Sequence, residues 1–485
     1  MQPLSILSVD EVQSIHETTL RILSEIGFVW THSDSLEILR QAGCKEYGNR
    51  VLFPPSLVED SIARSGKRVT IKGRNGDSYT LGDGGLFFHN LGGARDVYEV
   101  RTNSRRAASE SDVKDSARLL DALEYCHTVT PFFTPQNVPG ELMSLFMYRH
   151  MIPGTTKPLQ GPGIQYGYEV KYALEMAAVI GTPASELILS LSPVSPLTIP
   201  DHEAEAVVEM AKAGVAFSTL PCPTAGATSP MTIAGSLAQQ NAETLAILVL
   251  AQIINPGLPI VYCGRLGMLE PRSGLIWGGL ELGLCSAATV QLGHSYGYSV
   301  NVYGFSTNAH TLEAQNGFER GLNAVLPALA GADELSGIGE MEAGVMGSYA
   351  QMVIDNELAG QILRLKQGFD VNEETLAFDG ILRAMDGTRN FLGQKHTMKH
   401  LRSELHLTKL AERNTWEAWE KNGRKGIVER AAEEAERILK EHVVPPLEPQ
   451  QDKELDRIMA AAEIDHSRKR QIVGGRTECS NKPMR

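Results

Sequence analysis

The chain has 485 residues, 42% of them hydrophobic, and is therefore long enough to bury a large core. Its 58 acidic and 45 basic residues give a net charge of −13 at pH 7, which argues against a nucleic-acid groove and is compatible with a cationic ligand or simply with solubility. The start of the chain lacks a basic region followed by a long apolar run, and the longest apolar stretches are too short to cross a bilayer, so we expect a cytoplasmic protein that does not enter a membrane.

Residues 1–84 are predicted to form a small α+β cap. Ser8 to Ile26 has the apolar periodicity of an amphipathic helix, and Gly27 is placed to end it. Three short strands follow, separated by Gly, Asn and Asp turns, at Val51–Phe53, Val69–Lys72 and Tyr79–Leu81.

Residues 85–366 alternate short apolar runs with longer helical patterns, which is typical of repeated βαβ units. The predicted strands are Leu86–Asn90, Thr128–Phe133, Pro158–Gly161, Leu187–Leu191, Val215–Leu220, Pro259–Cys263, Ser299–Tyr303 and Glu334–Ile338. The predicted helices are Ser111–Glu124, Glu141–His150, Tyr168–Ile180, Asp201–Ala213, Thr232–Ile254, Leu275–Ser295, Leu312–Ala330 and Ser348–Lys366. Eight strands favour a (β/α)8 TIM-type barrel. An open doubly wound sheet would alternate similarly, but no G-x-G-x-x-G follows the first strand.

Residues 367–485 form the predicted C-terminal helical extension and tail. The pattern is charged and continuously helical from Thr375 through Arg437 and breaks at Pro445 and Pro446. The last 30 or so residues are predicted to be a short helix and a frayed tail. A helical arm of this kind packs on the barrel or on a neighbouring subunit, so we expect a homo-oligomer.

The segments that follow the predicted strands are rich in aromatic rings, small hydroxyls, Pro and Gly, and strong general bases are few. This composition favours a binding cage over a hydrolytic site. Several aromatic faces around one cavity hold a quaternary ammonium by cation–π attraction. The predicted cage residues are Phe88, Phe133, Tyr166, Tyr262, Trp277, Tyr303 and Phe305. Any one of them can equally be an ordinary core aromatic.

A carboxylate on the substrate would need a planar guanidinium, and Arg265, just past a predicted strand, is best placed to supply it. Alternatively, Arg265 pairs with Glu270 or Glu340 and braces the rim of the site. Gln165 is also predicted to bind substrate. Glu340 and Glu342 are predicted to steer a cation or move protons, or else to cap the next helix.

Four histidines are considered for chemistry. His396 and His400 stand i, i+4 on one predicted helical face, which is metal-ligand spacing, but Glu404 is the only nearby third ligand, so a structural role is favoured and no metal is predicted. His89 and His310 lie near strand ends and are either hydrogen-bonded wall residues or proton shuttles. Together with Glu340 they are the weak candidates for a catalytic group.

The family resemblance rests on one long motif and four short ones. The long motif is Pro223–Glu243, PTAGATSPMTIAGSLAQQNAE. The short ones are Leu119–Leu123, Glu313–Gln315, Val353–Glu357 and His396–His400. These segments resemble the trimethylamine:corrinoid methyltransferase superfamily over about residues 8–460. The six cysteines form no C-x-x-C pair, and the chain has no nucleophile elbow, H-E-x-x-H, Walker loop or D-x-H-x-x-G cobalamin motif.

The resemblance implies a barrel that transfers a methyl group to a Co(I) corrinoid carried by a separate small protein, with no cofactor held by this chain. The archaeal trimethylamine enzymes of this superfamily carry pyrrolysine, whereas this chain contains only ordinary residue types. A quaternary ammonium departs as a neutral tertiary amine without a covalent helper, so we expect glycine betaine first, then proline betaine, carnitine or γ-butyrobetaine. Two alternatives stay open: a non-catalytic barrel that captures a cation, and a zinc-assisted methyltransferase, which would need a third metal ligand.

Overall fold

The computed structural model describes residues 3–138, 140–387 and 389–480, with side chains described up to residue 467. The N-terminal elements are α1 (Val9–Arg21), a π-helical turn (Ile22–Ile26), β1 (Phe28–Trp30), α2 (Ser33–Gln41), β2 (Lys45–Tyr47), β3 (Arg50–Leu52), α3 (Pro55–Arg64), β4 (Val69–Lys72) and β5 (Ser78–Leu81). Ser8 caps α1 through a capping box with Glu11, and Gly27 ends the π-helical turn at a φ of 82°, as the sequence predicts.

The central region supplies most of the strands and long helices. Its first half contains β6 (Phe87–Asn90), β7 (Asp96–Glu99), β8 (Ser104–Ala107), α4 (Glu110–Ala122), α5 (Met143–Met151), β9 (Gln160–Gly163), α6 (Gly167–Val179), β10 (Ile188–Leu191), β11 (Thr198–Ile199) and α7 (Asp201–Ala213). Its second half contains β12 (Ala216–Thr219), β13 (Thr224–Ala225), α8 (Ile233–Ile254), β14 (Ile260–Gly264), β15 (Gly267–Met268), α9 (Leu280–Ser295), β16 (Val300–Tyr303), α10 (Ala314–Ala330), β17 (Glu334–Ile338), β18 (Glu340–Met341), β19 (Met346–Gly347) and α11 (Tyr349–Gln367). Short 3₁₀ turns lie at Gly140–Leu142, Ile152–Gly154, Ala184–Glu186 and Glu342–Gly344.

A seven-stranded parallel sheet of order β6-β17-β16-β14-β12-β10-β9 is the centre of the fold. All seven strands of this sheet match strands that the sequence predicts. The remaining predicted strand, Thr128–Phe133, is present only as isolated parallel bridges, His89 to Thr128, Val129 to Leu159 and Ala94 to Phe133. The first two bridges lie beside the two edge strands, β6 and β9. The regular sheet therefore has seven strands where the sequence predicts eight.

The sheet is buried on both faces, which is why its strands are apolar runs instead of alternating patterns. All residues of β12, β14 and β17 are buried. Helix α8, Ile233–Ile254, is the one described helix long and apolar enough to span a membrane, and 89% of the relevant segment is buried inside the protein. It is a core helix, against which α1, α3 and α7 pack.

The N-terminal elements join the central region through β1, which pairs in parallel with β11 in a sheet of order β11-β1-β3-β2. Hairpin β4-β5 forms a separate two-stranded sheet. A further sheet of order β18-β19-β7-β8 lies beyond the carboxyl ends of β6 and β17.

The C-terminal region differs from the sequence prediction in two ways. The stretch from Thr375 through Arg437 is not continuously helical but is broken into α12 (Glu373–Leu376), α13 (Phe378–Asp386), α14 (Lys395–Glu404), α15 (Trp416–Lys421) and α16 (Ile427–Glu441). The first break falls at Ala377, which takes a left-handed conformation with a φ of 52°, and the later breaks contain glycines or polar loop residues. The last described segment is one helix, α17 (Pro449–Ser480), which is longer than the short helix that the sequence predicts; residues 481–485 of the predicted tail lie outside the described residues. Helix α17 packs on α5 and α6, and Arg149 pairs with its Asp452 and Asp456.

A buried ion pair fixes α10 against α11. Arg320 and Asp355 are 1% and 0% exposed, and their side chains lie 2.9 Å apart. Asp355 also accepts hydrogen bonds from the backbone N–H of Gly339 and the side chain of Gln351. This carboxylate therefore joins α10, α11 and the turn that follows β17.

Replacement of this carboxylate is expected to be strongly destabilising. Asp355→Ala leaves the Arg320 charge buried without a partner, and we expect the free energy of unfolding to fall by about 3–5 kcal/mol. Urea denaturation measures the change. Asp60→Ala, on the exposed face of α3, is the matched control and should change stability by less than about 0.5 kcal/mol. Similar effects from the two variants would contradict the role given to the pair.

Candidate functional site

A cavity of about 380 Å³ lies at the carboxyl ends of the parallel strands, where ligand sites of α/β sheets are found. The residues that line it come from the strand ends and the loops that follow them, and most are small or polar. They include His89, Asn90, Thr130, Thr134, Met143, Met147, Gln160, Gln165, Ser190, Ser192, Ser218, Cys222, Arg265, Asn301, Tyr303 and Ser336. Four of the predicted site residues are thereby brought together: His89, Gln165, Arg265 and Tyr303.

A buried carboxylate lies at the base of this cavity. Glu334, at the start of β17, is 1% exposed. Its Oε1 accepts hydrogen bonds from Gln160 Nε2 and from Thr128 Oγ1, and its Oε2 accepts one from Asn301 Nδ2. Gln160 and Asn301 themselves line the cavity. The negative charge is therefore held directly beneath the cavity by donors from three neighbouring chain segments.

Asn301 connects this carboxylate to Arg265. Its side-chain oxygen accepts from Arg265 Nη2 at 2.5 Å and its backbone oxygen accepts from Arg265 Nη1 at 3.2 Å. The guanidinium carbon lies 4.5 Å from the centre of the Tyr303 ring, a cation–π contact. The sequence-based alternative in which Arg265 pairs with Glu270 is wrong, since Glu270 pairs with Arg272. Among the described residues no ion pair joins Arg265 to Glu340 either, although the charge of Arg265 acts to lower the pKa of the Glu340 carboxyl against the effect of burial.

His89 is a wall residue of the cavity. Burial lowers the pKa of its imidazole, so the ring is neutral at pH 7. Asn301 Nδ2 lies 2.9 Å from His89 Nε2 and, as a donor, leaves the ring proton on Nδ1.

The predicted aromatic cage is not assembled. Of its seven members only Tyr303 lines the cavity, and Arg265 covers one of its faces. Phe88 and Phe305 contact each other in the core, and Phe133 packs on Phe132 and Tyr349. Aromatic residues at strand ends point outward from the sheet interior as often as inward, and here most pack beneath the surrounding helices.

The three other cage residues lie elsewhere. Tyr262 is buried and donates to Asn241 on α8. Tyr166 stacks on Tyr168 at the start of α6. Trp277 precedes α9, which begins later than predicted, and lines a separate groove of about 440 Å³.

Glu340 is buried behind the cavity wall, at 1% exposure. Burial raises the pKa of its carboxyl to about 7, while the hydroxyl of Ser306 donates to Oε1. Glu342 and His310 are not among the cavity residues. Glu342 instead pairs with Arg105 at 2.9 Å and lies 3.5 Å from His310, whose side chain is 70% exposed.

His396 and His400 do share one face of α14, with ring centres 4.4 Å apart. Both contact Glu374 of α12 and not Glu404. The His400 ring contacts the carboxylate of Glu374, and the His396 ring contacts the backbone oxygen of Glu374. Within the described ranges, no group of three or more His, Cys, Asp or Glu side chains is arranged to hold a metal ion. The pair lies on an exposed helix of the C-terminal region, away from the cavity residues.

Sequence reasoning missed the polar residues beneath the cavity. Thr128, Gln160, Asn301 and Glu334 all lie within or beside predicted strands, and an inward-facing polar side chain in a buried strand was the available signal. A single polar or acidic residue in an apolar run does not show which residues on other strands will form hydrogen bonds with its side chain. Their grouping follows only from the strand order.

A parallel sheet with a polar, arginine-containing cavity at its carboxyl ends is typical of α/β proteins that bind a small polar molecule. A family model described as trimethylamine methyltransferase (MTTB) matches residues 1–465, so the chain belongs to that family. A trimethylamine methyltransferase MttB of Desulfitobacterium hafniense is 30% identical over 450 residues, which cover 91% of this chain and 90% of that protein. A glycine betaine methyltransferase from another strain of that species is 30% identical over 466 residues, covering 94% and 96%.

Among solved structures, the monomethylamine methyltransferase of Methanosarcina barkeri superposes with a TM-score of 0.48 at 10% sequence identity, covering 90% of this chain and 93% of that one. The curated relatives are methyltransferases, and the chain is accordingly a methyltransferase of the EC 2.1.1 class.

The raised pKa of Glu340 makes a prediction about stability. A carboxyl that holds its proton more tightly when folded loses stability as the pH rises from about 4.5 to about 7. Glu340→Gln keeps the neutral shape at every pH. We therefore expect this variant to gain stability relative to the parent chain between about pH 5 and pH 8, by up to about 3 kcal/mol, in urea denaturation.

Glu59→Gln, on the exposed face of α3, is the control and should show no such pH-dependent gain. A gain for Glu340→Gln that is the same at both pH values, or that shrinks as the pH rises, would contradict the burial of an ionisable carboxyl at this position.

Proposed function

We propose that this methyltransferase moves a methyl group from a quaternary amine, with glycine betaine the favoured substrate, to the Co(I) corrinoid of a separate small protein. One observation carries the proposal. The guanidinium of Arg265 lines the cavity, and in the described part of the chain no carboxylate forms an ion pair with it. A cation in a partly enclosed cavity favours a substrate that brings its own carboxylate.

The geometry of Arg265 supports this assignment. Asn301 and Tyr303 hold the guanidinium plane in one orientation, so little side-chain freedom is lost when a carboxylate binds. Trimethylamine has no carboxylate and would leave the charge unpaired. A glycine betaine methyltransferase and a trimethylamine methyltransferase are each 30% identical to the chain, so the choice of a betaine rests on Arg265 and not on sequence identity.

The positive end of a betaine is favoured by charge in place of an aromatic cage. Glu334 lies beneath the cavity, behind the lining residues Gln160, Asn301 and His89. Its field opposes that of Arg265, so a zwitterion gains at both ends when the carboxylate meets Arg265 and the ammonium lies nearer to Glu334. Met143 and Met147 supply apolar surface for the N-methyl groups.

In the proposed reaction the bond between nitrogen and one methyl carbon breaks, and its electron pair stays on nitrogen. The methyl group passes by in-line displacement to the Co(I) corrinoid, which supplies the nucleophile and forms the new carbon–cobalt bond. The other product, dimethylglycine, leaves as a neutral tertiary amine and needs no proton. This explains why a chain of ordinary residue types, with a neutral His89 and few bases in its cavity, is sufficient.

The chain's own residues then act by positioning. Arg265 orients the carboxylate, Glu334 and its donors set the orientation of the ammonium, and the small residues around the cavity leave room for one methyl group to face outward. We also infer that the bridges at residues 128–129 close the seven-stranded sheet into a (β/α)8 barrel, which would fix the strand ends rigidly around the substrate.

The test combines one variant with two substrates. Arg265→Met removes the guanidinium and keeps an unbranched apolar side chain. We expect the KM for glycine betaine to rise about 10–100-fold, because one charge-assisted contact is lost, while tetramethylammonium, which has no carboxylate, is used as well as or better than by the parent. Transfer is followed by the absorbance change from Co(I) to methyl-cobalt with the reduced corrinoid partner.

Arg272→Met is the matched control, because Arg272 is exposed and pairs with Glu270 beside the separate groove that Trp277 lines. It should leave both substrates unaffected. Methyl transfer from trimethylamine but from no betaine would contradict the proposal, and binding of a betaine with no methyl-cobalt formed would favour the non-catalytic alternative.

A further inference from the structure

Residues 368–407, which we name the arm, present an unusually apolar surface. Thirteen large apolar side chains are exposed along it: Phe369, Val371, Leu376, Phe378, Ile381, Leu382, Met385, Phe391, Leu392, Met398, Leu401, Leu405 and Leu407. Among the arm residues that the structure describes, only Gly380 and Ala384 are buried. An exposed apolar surface of this extent is uncommon on a protein that acts alone.

Helix α13, at the centre of the arm, exposes its apolar face and packs its small residues against its own chain. Phe378, Ile381, Leu382 and Met385 recur at i, i+3, i+4 and i+7 and form one face, with exposures of 73%, 48%, 50% and 58%. The residues that it buries against its own chain are the smallest ones, Gly380 and Ala384. A surface helix normally buries its large apolar residues, so this face is built to be covered by another molecule.

Both ends of the arm attach near the amino ends of the parallel strands, whereas the cavity lies at their carboxyl ends. The arm follows α11, whose last turns hold it: Arg364 donates to the backbone oxygens of Gly368 and Glu404. Lys366 donates to Gly84, which precedes β6 and so lies at the amino ends of the strands. The cavity opens at the carboxyl ends. A protein that collects a methyl group from the cavity therefore approaches the other side of the molecule.

We propose that the apolar face of α13 binds the same face of a second copy of this chain, about a two-fold axis. Asp379 and Arg383 flank the face with opposite charges four residues apart. Antiparallel packing of two α13 helices, centred at Ile381, places Asp379 beside the partner subunit's Arg383, and the reverse. The face is thus complementary to itself in charge, which a symmetric interface requires.

The apolar face of α13 needs to be buried at all times, and this also favours a second copy of the chain as the partner. The arm has few buried side chains of its own, so the order of its helices depends on burying this face. A second copy is present whenever the chain is made, whereas a partner that comes and goes in each catalytic cycle would leave the face bare between visits. Permanent interfaces are also the more apolar ones.

The test is the mass of the purified full-length chain, measured by light scattering after size-exclusion chromatography at micromolar concentration. We expect the parent chain to have at least twice the mass of the 52.8 kDa chain. Leu382→Glu should reduce the mass at least two-fold, because it buries two uncompensated charges at the axis. Val9→Glu, at another exposed apolar position, is the matched control and should leave the mass unchanged.

A pair of charge variants guards against simple unfolding of Leu382→Glu. Asp379→Arg and Arg383→Asp should each weaken the assembly, and the double variant Asp379→Arg/Arg383→Asp should restore it, since the charges remain opposite. A monomeric parent chain, an assembly that Leu382→Glu leaves intact, or a face that binds only the corrinoid protein would each overturn the proposal.

Discussion

The carboxylate of Glu334, buried in the interior of the parallel sheet, sets the character of the site. A charge in that position must be satisfied by hydrogen bonds, and Thr128, Gln160 and Asn301 supply them from neighbouring segments. Once Asn301 donates to Glu334, its oxygens are free to hold Arg265 at the cavity wall. The result is a cavity with a negative base and a positive side, an arrangement suited to a zwitterion.

Most of the central fold could be predicted from the sequence because its signals are local. Strands buried on both faces are short apolar runs, and the helices between them have clear starts and stops, so α7 matches its predicted range and Gly214 ends it in the left-handed conformation. The C-terminal region was predicted less well. Its charged residues give it the composition of one long exposed helix. The breaks between α12 and α16 depend on loop residues whose conformation the helical periodicity does not reveal.

The site was only partly predictable, for a physical reason. Arg265 could be found because its position after a strand is a local fact. The prediction of an aromatic cage was wrong: of the seven predicted rings, only Tyr303 lines the cavity. The reason is that a position at the end of a strand does not determine which way a ring points. Glu334 and Asn301 were missed because their partners lie on other strands. The cation–π interpretation consequently gives way to one based on two opposed charges.

A crystal structure of the chain with glycine betaine tests this account most directly. We predict the carboxylate of the ligand within hydrogen-bond distance of the Arg265 guanidinium, its ammonium nearer to Glu334 than the carboxylate is, and one N-methyl group facing the open end of the cavity. A betaine bound in the reverse orientation, or outside the cavity at the carboxyl ends of the strands, would contradict it.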